Sequence, residues 1–313
     1  DDATSDENNM RAAAAMYDRG LPYHLNLMPV DEEGHFCISR EQFRQLHEQG
    51  CETALHYNFA MFPYTEEGLR IQSAMYERAF GEISIGPVNH CLIQVGTAAE
   101  RYRMEAACGA LGDNSRFQNH LDPLDINAFN LNGFVNGSAF PRFVLCDAEH
   151  GNSELSFCEV YGSYYEPRIY KDSAEEYEKI SSYLDNGFVY GRPLQLFTHP
   201  HYISGVIVDA EPALKALDYA VGYVREKGWN VWYCGPDALI RWWHDRAGCS
   251  ISEVTPKGFT VNIPFDRKTT IVLPEYAEQA TVNGKLCEIR LKAVGGRLLK
   301  LLNLNPGISR IAF

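Results

Sequence analysis

The chain has 313 residues, 45% hydrophobic, 12% aromatic and 22% charged; that is enough for a large core and more than one domain, and it excludes disorder as the main state. No apolar run approaches the ~20 residues that a membrane helix needs. The formal net charge of -13 repels phosphate backbones and argues against a nucleic-acid partner, whereas a neutral substrate such as a sugar is compatible with it.

The chain opens on Asp1-Asp2-Ala3-Thr4-Ser5-Asp6, polar and without an initiator Met or an apolar signal stretch. Residues before Asp1, a targeting segment among them, are compatible with this start, and localisation stays open. Met10 to Arg19 reads as a helix, with Ser5 or Asp6 as N-cap and Gly20 as its stop. Tyr23 to Met28 alternates as a strand, ended by Pro29. Ser39 caps a helix through Gln49, with Gln42 at the capping-box position. Glu52 to His56 is a short strand, Thr65 opens a helix to Phe80, Ile83 to Gln94 contains a strand, and Ala98 to Leu111 is a helix. Asp113 to Tyr170 is irregular, with one strand-like run at Phe143 to Cys146. Alternation then returns: helix from Ser173 to about Leu184, strand Leu194 to His199, helix Glu211 to Lys227, strand Asn230 to Cys234 and helix Pro236 to Arg246.

Strands and helices in strict succession imply parallel pairing, and their number predicts a (β/α) barrel over residues 1–250. After Cys249 the texture becomes all-β, with runs at Phe259 to Ile263, Thr269 to Leu273, Lys285 to Leu291, Leu298 to Leu302 and Ile308 to Phe313. Val282-Asn283-Gly284-Lys285 is a strong hairpin turn. Residues 251–313 are thus predicted to form a small antiparallel β domain. The nine cysteines show neither a CxxC pair nor zinc-finger spacing, which favours buried free thiols and a reducing compartment.

In a barrel the chemistry lies at the C-terminal ends of strands. That rule selects His56, the Asn89-His90 pair, and His199 and His201 on either side of Pro200, together with the Asp1-Asp2 pair. Imidazoles and carboxylates suit zinc and similar ions, and a histidine can protonate a leaving group near neutral pH. Each also has a plain structural role open to it: a solvated terminus for Asp1-Asp2 and a hydrogen-bonded strand end for each histidine.

Several of these segments resemble the polysaccharide deacetylase (NodB-homology) superfamily of distorted (β/α) barrels. Asp1-Asp2-Ala3 is similar to its first motif. Gln42 through His56 is similar to its second, a helix, a Gly and a strand ending in a metal-binding His. Leu196-Phe197-Thr198-His199 is similar to the late strand carrying a general acid, and Ala238 to Arg246 to a closing helix. The resemblance spans most of residues 1–248 and implies a divalent metal, zinc first, held by Asp2 and His56. Asp1 would be the base, and His199 or His201 the acid, in removing acyl groups from a carbohydrate. The second motif usually has another His where this chain has Ala60, so His90 is expected to supply the third ligand. Gly86 to His90 stands where the family has an Arg-Pro motif. Asn89, Tyr161, Tyr164 and Tyr165 are candidates for holding the sugar, with Tyr170 nearby; these tyrosines could equally cover the barrel. Trp242-Trp243 read as structural. Two other readings stand beside this one. One is a catalytically impaired barrel that binds a glycan. The other is a glycoside hydrolase using carboxylates such as Glu149, Glu159 or Asp209.

Overall fold

The computed structural model describes residues 5–117, 140–145, 154–162, 173–191, 193–195, 197–294 and 297–313. The chain divides into two units at Ile240/Arg241, with Phe188–Gly191 grouped with the second.

The first unit starts with α1 (Asp6–Tyr17), where Ser5 caps the helix by accepting from the Asn8 N–H. Then come β1 (His24–Leu27), α2 (Arg40–Glu48), β2 (Glu52–Tyr57), α3 (Glu66–Phe80) and β3 (Val88–Asn89). Helix α2 begins in the full capping box of Ser39 and Gln42, and α3 begins at Thr65, whose hydroxyl accepts from the Gly68 N–H. The three strands pair in parallel, β1 with β2 and β2 with β3. After α4 (Ala98–Ala107), β4 (Gly112–Phe117) extends the row: the N–H groups of Leu111 and Gly112 bond the Ile85 carbonyl. β4 also pairs in parallel with β6 (Glu154–Gly162), and β5 (Arg142–Leu145) joins β6 antiparallel.

Period-two alternation sorts the strand residues into two faces. Leu25, Leu27, Leu55 and Tyr57 enter one apolar core with Phe43 and Leu46 of α2 and Leu69, Tyr76 and Phe80 of α3. The opposite face carries His24, Asn26, Glu52, Ala54, His56 and Val88, because Asn26 registers with Ala54 and His56 with Val88. The start of α8 (Pro236–Gly248) comes close to this second face. A Cβ at Gly112 would run into the Cys158 carbonyl oxygen and stand 2.8 Å from Ile240 Cδ1, so this close approach requires glycine; a Cβ at Gly86 would stand 2.9 Å from the same Ile240 atom.

Two predicted late strands do not form. The described residues 193–195 and 197–199 contain no strand, and neither does Asn230 to Cys234. Val231, Trp232 and Tyr233 are instead exposed. An alternating apolar run becomes a strand only when a neighbour completes its hydrogen-bond ladder, and none lies beside either segment among the described residues. Helices occupy this part of the chain: α5 (Ala174–Tyr190), the short α6 (Pro200–Ile203) and α7 (Glu211–Glu226). The strand expected within Ile83 to Gln94 is Val88–Asn89, followed by a 3-10 turn. The described part of this unit is therefore mixed α/β with a short parallel row, and no closed sheet occurs among the described residues.

The second unit contains two sheets. β7 (Ser250–Thr255), β8 (Gly258–Ile263), β10 (Ala280–Val282), β11 (Lys285–Cys287) and β14 (Gly307–Ala312) form one; β9 (Thr269–Leu273), β12 (Arg290–Val294) and β13 (Arg297–Leu304) form the other. Val261, Ile263, Leu273, Leu302, Leu304 and Ile311 build its core. Asn283 and Gly284 both take positive φ, 53° and 79°, as the tight β10–β11 hairpin requires. All eight cysteines among the described residues are free thiols. No helix among the described residues is long and apolar enough to cross a membrane.

Candidate functional site

His56 and Asn89 sit at the C-terminal ends of β2 and β3, and His90 comes directly after. His56 is fully buried, and its Nδ1 lies 3.1 Å from the Val88 carbonyl oxygen. A carbonyl can only accept, so Nδ1 carries the proton and Nε2 becomes the lone-pair nitrogen. That backbone contact is how a metal-binding imidazole is usually oriented. The His90 ring meets the His56 ring edge-on, with centroids 5.3 Å apart. Two imidazoles on one tetrahedral zinc at ~2.1 Å would place their centroids about 5 Å apart. On the same face of the sheet, Asn26 Oδ1 and Asn114 Oδ1 are buried without a hydrogen-bond partner among the described residues. Buried acceptors of this kind normally meet water or a ligand. His56 and His90 thus offer two imidazoles of the kind that zinc takes, while the described His, Cys, Asp and Glu side chains place no third ligand close to both.

The turn after β3 is strained. Cys91 and Leu92 both take left-handed φ, 53° and 55°, a conformation that costs non-glycine residues about 1–3 kcal/mol each. It brings the Cys91 Sγ to 3.6 Å from His90 Nε2. Asn89 itself is fully buried; its side-chain amide donates to the Tyr64 hydroxyl at 3.4 Å, and its backbone N–H to Ser115 Oγ at 2.8 Å.

His199 does not close a strand; it precedes α6, with Pro200 in the helix's first turn. The His199 and His201 rings lie 5.5 Å apart, and His201 packs on Tyr202 at 3.9 Å. α6 packs on α1, and Ser204 Oγ donates to Asn8 Oδ1 at 2.6 Å. The segment after His199 is thus tied to the first turn of the helix that Asp1-Asp2 lead into. Asp1, Asp2, Glu149, Tyr164, Tyr165 and Tyr170 lie outside the described residues, and for Tyr161 only the backbone, in β6, is described. The structure therefore brings together His56 with His90, and His199 with His201.

Two polar clusters escaped sequence reasoning. On the α4 side of β4, Asp113 and Glu159 register as neighbours across β4 and β6. Tyr102 donates to one Glu159 oxygen, and the Arg142 Nε lies 2.8 Å from the other. Ser115 donates to Asp113 through both its hydroxyl, at 2.5 Å, and its backbone N–H, at 3.0 Å. Arg101, only 2% exposed, lies among these acids with Nε and Nη2 unbonded among the described residues. Burial pushes Asp113 up to about 6, against the opposing pull of Arg101 and Ser115. Burial and then the Asp113 charge lift the Glu105 carboxyl well above its ordinary range. Asp113 and Glu159 are far apart in sequence; only the β4–β6 pairing reveals them as neighbours.

The second cluster joins the N-terminal ends of β1 and β2 to α8. Glu52 accepts the backbone N–H groups of Asp237 and Ala238 at 3.0 and 2.9 Å, and His24 Nε2 lies 3.2 Å from Asp237 Oδ1. Burial pulls the His24 imidazole down, but the hydrogen bond and charge of Asp237, with the charge of Glu52, outweigh it and raise its pKa. The three side chains are close enough to hold an ion, yet Glu52 is occupied in capping a helix N-terminus, where the dipole favours anions over cations. A second close set, Asp31, Glu33 and His35, is largely exposed, with His35 already 2.6 Å from Asp31. A cleft of about 700 Å³ is lined by Phe36, Arg40, Met75, Arg78 and Phe80. Phe36 and Phe80 pack with Tyr76, so this cleft belongs to the helix-covered face rather than to the histidines.

No family model matches the chain, and no curated protein matches it. A solved structure from Mycobacterium smegmatis, provisionally assigned as a polysaccharide deacetylase, is similar to it at 16% identity and a TM-score of 0.49, covering 79% of this chain and 78% of that one.

Proposed function

We propose that the chain is a metal-dependent hydrolase that removes acyl groups, acetyl foremost, from a carbohydrate. The observation that carries this reading is the His56–His90 pair at the C-terminal ends of adjacent parallel strands, with His56 oriented by the Val88 carbonyl. The motif order read from the sequence supports it: Asp1-Asp2, then His56, then His199. His56, His90 and Asp2 would hold the ion. When bound, a zinc-like ion polarises an acyl oxygen and lowers the pKa of a water.

The rest falls to side chains. The Asp1 carboxylate accepts the water's proton as the water oxygen bonds the acyl carbon. His199 or His201 donates a proton to the sugar nitrogen or oxygen as its bond to that carbon breaks. Tyr161, Tyr164 and Tyr165 supply rings for the apolar faces of the sugar. Asn89, held by Tyr64 and Ser115, orders the strand end that presents His90.

The test is hydrolysis of acetylated aryl esters and chitooligosaccharides by the zinc-supplemented chain. Activity abolished by EDTA and restored by zinc is expected. Asp1→Asn and His56→Ala should each lower kcat/KM by at least about 100-fold. Hydrolysis that persists after chelation, or an Asp1→Asn variant with full activity, would contradict the assignment; tight glycan binding without turnover would replace it with a binding role.

A further inference from the structure

We propose that the β12–β13 strand pair of the second unit docks on the surface of an anionic lipid bilayer. Charge divides unevenly between the two units. The first holds 17 Lys and Arg against 35 Asp and Glu, the second 11 against 6. From Ile289 to Phe313 the chain has five bases and no acid. Three of those bases share the outer face of the sheet made by β12, β13 and β9. Leu302 and Leu273 enter the core, so alternation turns Leu301, Val272 and Arg290, which register on one another, outward. The pairs Leu299 with Lys292 and Arg297 with Val294 continue that face. It therefore presents three bases, four aliphatic side chains and no carboxylate. Arg290 donates to Asn303 Oδ1 at 2.7 Å, and none of the three bases meets a carboxylate among the described residues.

The opposite face of the pair is no more polar toward its Val294–Arg297 end: Leu291 and Leu298, diagonal neighbours there, are each 60% exposed. A strand face turned to water is ordinarily polar, and this end is aliphatic on both faces. The side-chain chemistry selects the occupant. Nucleic acids and sugars are held by stacking on rings, and these residues include no ring. Aliphatic groups beside Arg and Lys suit the boundary between headgroups and acyl chains, where the charged ends reach phosphate while their stems stay with the alkyl groups.

The experiment is co-sedimentation of the full chain with vesicles of equal parts phosphatidylcholine and phosphatidylglycerol, beside vesicles of phosphatidylcholine alone. Binding to the anionic vesicles only is expected, falling steeply as salt rises. The combined variant Arg290→Gln, Lys292→Gln, Arg297→Gln should bind at least about 100-fold more weakly, and Leu291→Ser with Leu298→Ser at least about tenfold more weakly. A charge-matched control, Arg11→Gln, Arg44→Gln, Arg70→Gln, removes exposed bases of the first unit and should lower binding by less than about threefold. A control that loses as much as the sheet-face variant, equal binding to both kinds of vesicle, or no binding at low salt would overturn the proposal. So would a dimer in light scattering that the sheet-face variant dissociates, because a second copy would then occupy the face. Vesicle binding requires no zinc, so its failure leaves the hydrolase reading untouched.

Discussion

Replacing Arg101 with Met is expected to destabilise the protein by about 3–5 kcal/mol, because it strips a buried cation from a group of buried acids. Arg101 is 2% exposed and lies against Asp113 and Glu105. The loss should depend on pH in a defined direction. Asp113 titrates higher in the folded chain, at about 6, than the ordinary ~3.9 of an unfolded aspartate. The native state therefore binds the extra proton, and stability falls as pH rises from about 4 through about 6. Without Arg101 the Asp113 carboxylate becomes costlier still, so the variant should lose most above pH 6 and least near pH 4. Glu105→Gln provides the contrast. Burial and the Asp113 charge already favour its neutral form, which the amide mimics, so this change should cost far less than the Arg101 substitution, less than about 1 kcal/mol. Urea unfolding across this pH range checks all three statements; a pH-independent loss in the Arg101 variant would mean that the acids do not rely on its charge.

The second large effect is expected at the opposite end of the strands. Glu52→Ala removes the acceptor of two backbone N–H groups and one of the two acids beside His24. Stranding two donors and weakening a buried ion pair should cost about 3–5 kcal/mol. Glu52→Gln keeps one acceptor oxygen and should cost about half as much. The His24 contribution has its own window. Its folded pKa is raised, so the stabilisation is complete below the ordinary ~6.5 and is lost as pH rises through the folded value. His24→Gln should therefore differ most from wild type below about pH 6.5. A Glu52→Ala variant within about 1 kcal/mol of wild type would show that α8 starts without help from β2.

These clusters show which parts of the fold were legible in sequence. Most strands after Cys249 were, because they alternate and Asn283-Gly284 admits one tight hairpin. Helices α2 and α3 were, because their caps are local: Ser39 with Gln42, and Thr65. The segments 194–199 and 230–234 misled, because an apolar pattern reports compatibility with a strand and not the presence of a neighbour to pair with. The strand-end rule pointed to His56 and His90, whose ring centroids lie 5.3 Å apart in the structure. Asn26 and Asn114 were not legible, since an asparagine in a short strand stands out only once its face is known to be buried. A cue was available at β1, where Asn26 interrupts Leu25 and Leu27.

The most direct test of the central claim is the zinc stoichiometry of the chain after equilibration with excess zinc and removal of the free ion, measured by elemental analysis beside His56→Ala. The account predicts one ion per wild-type chain and little or none on the variant. A wild-type chain that emerges without zinc, or a His56→Ala chain that retains a full equivalent, would contradict it.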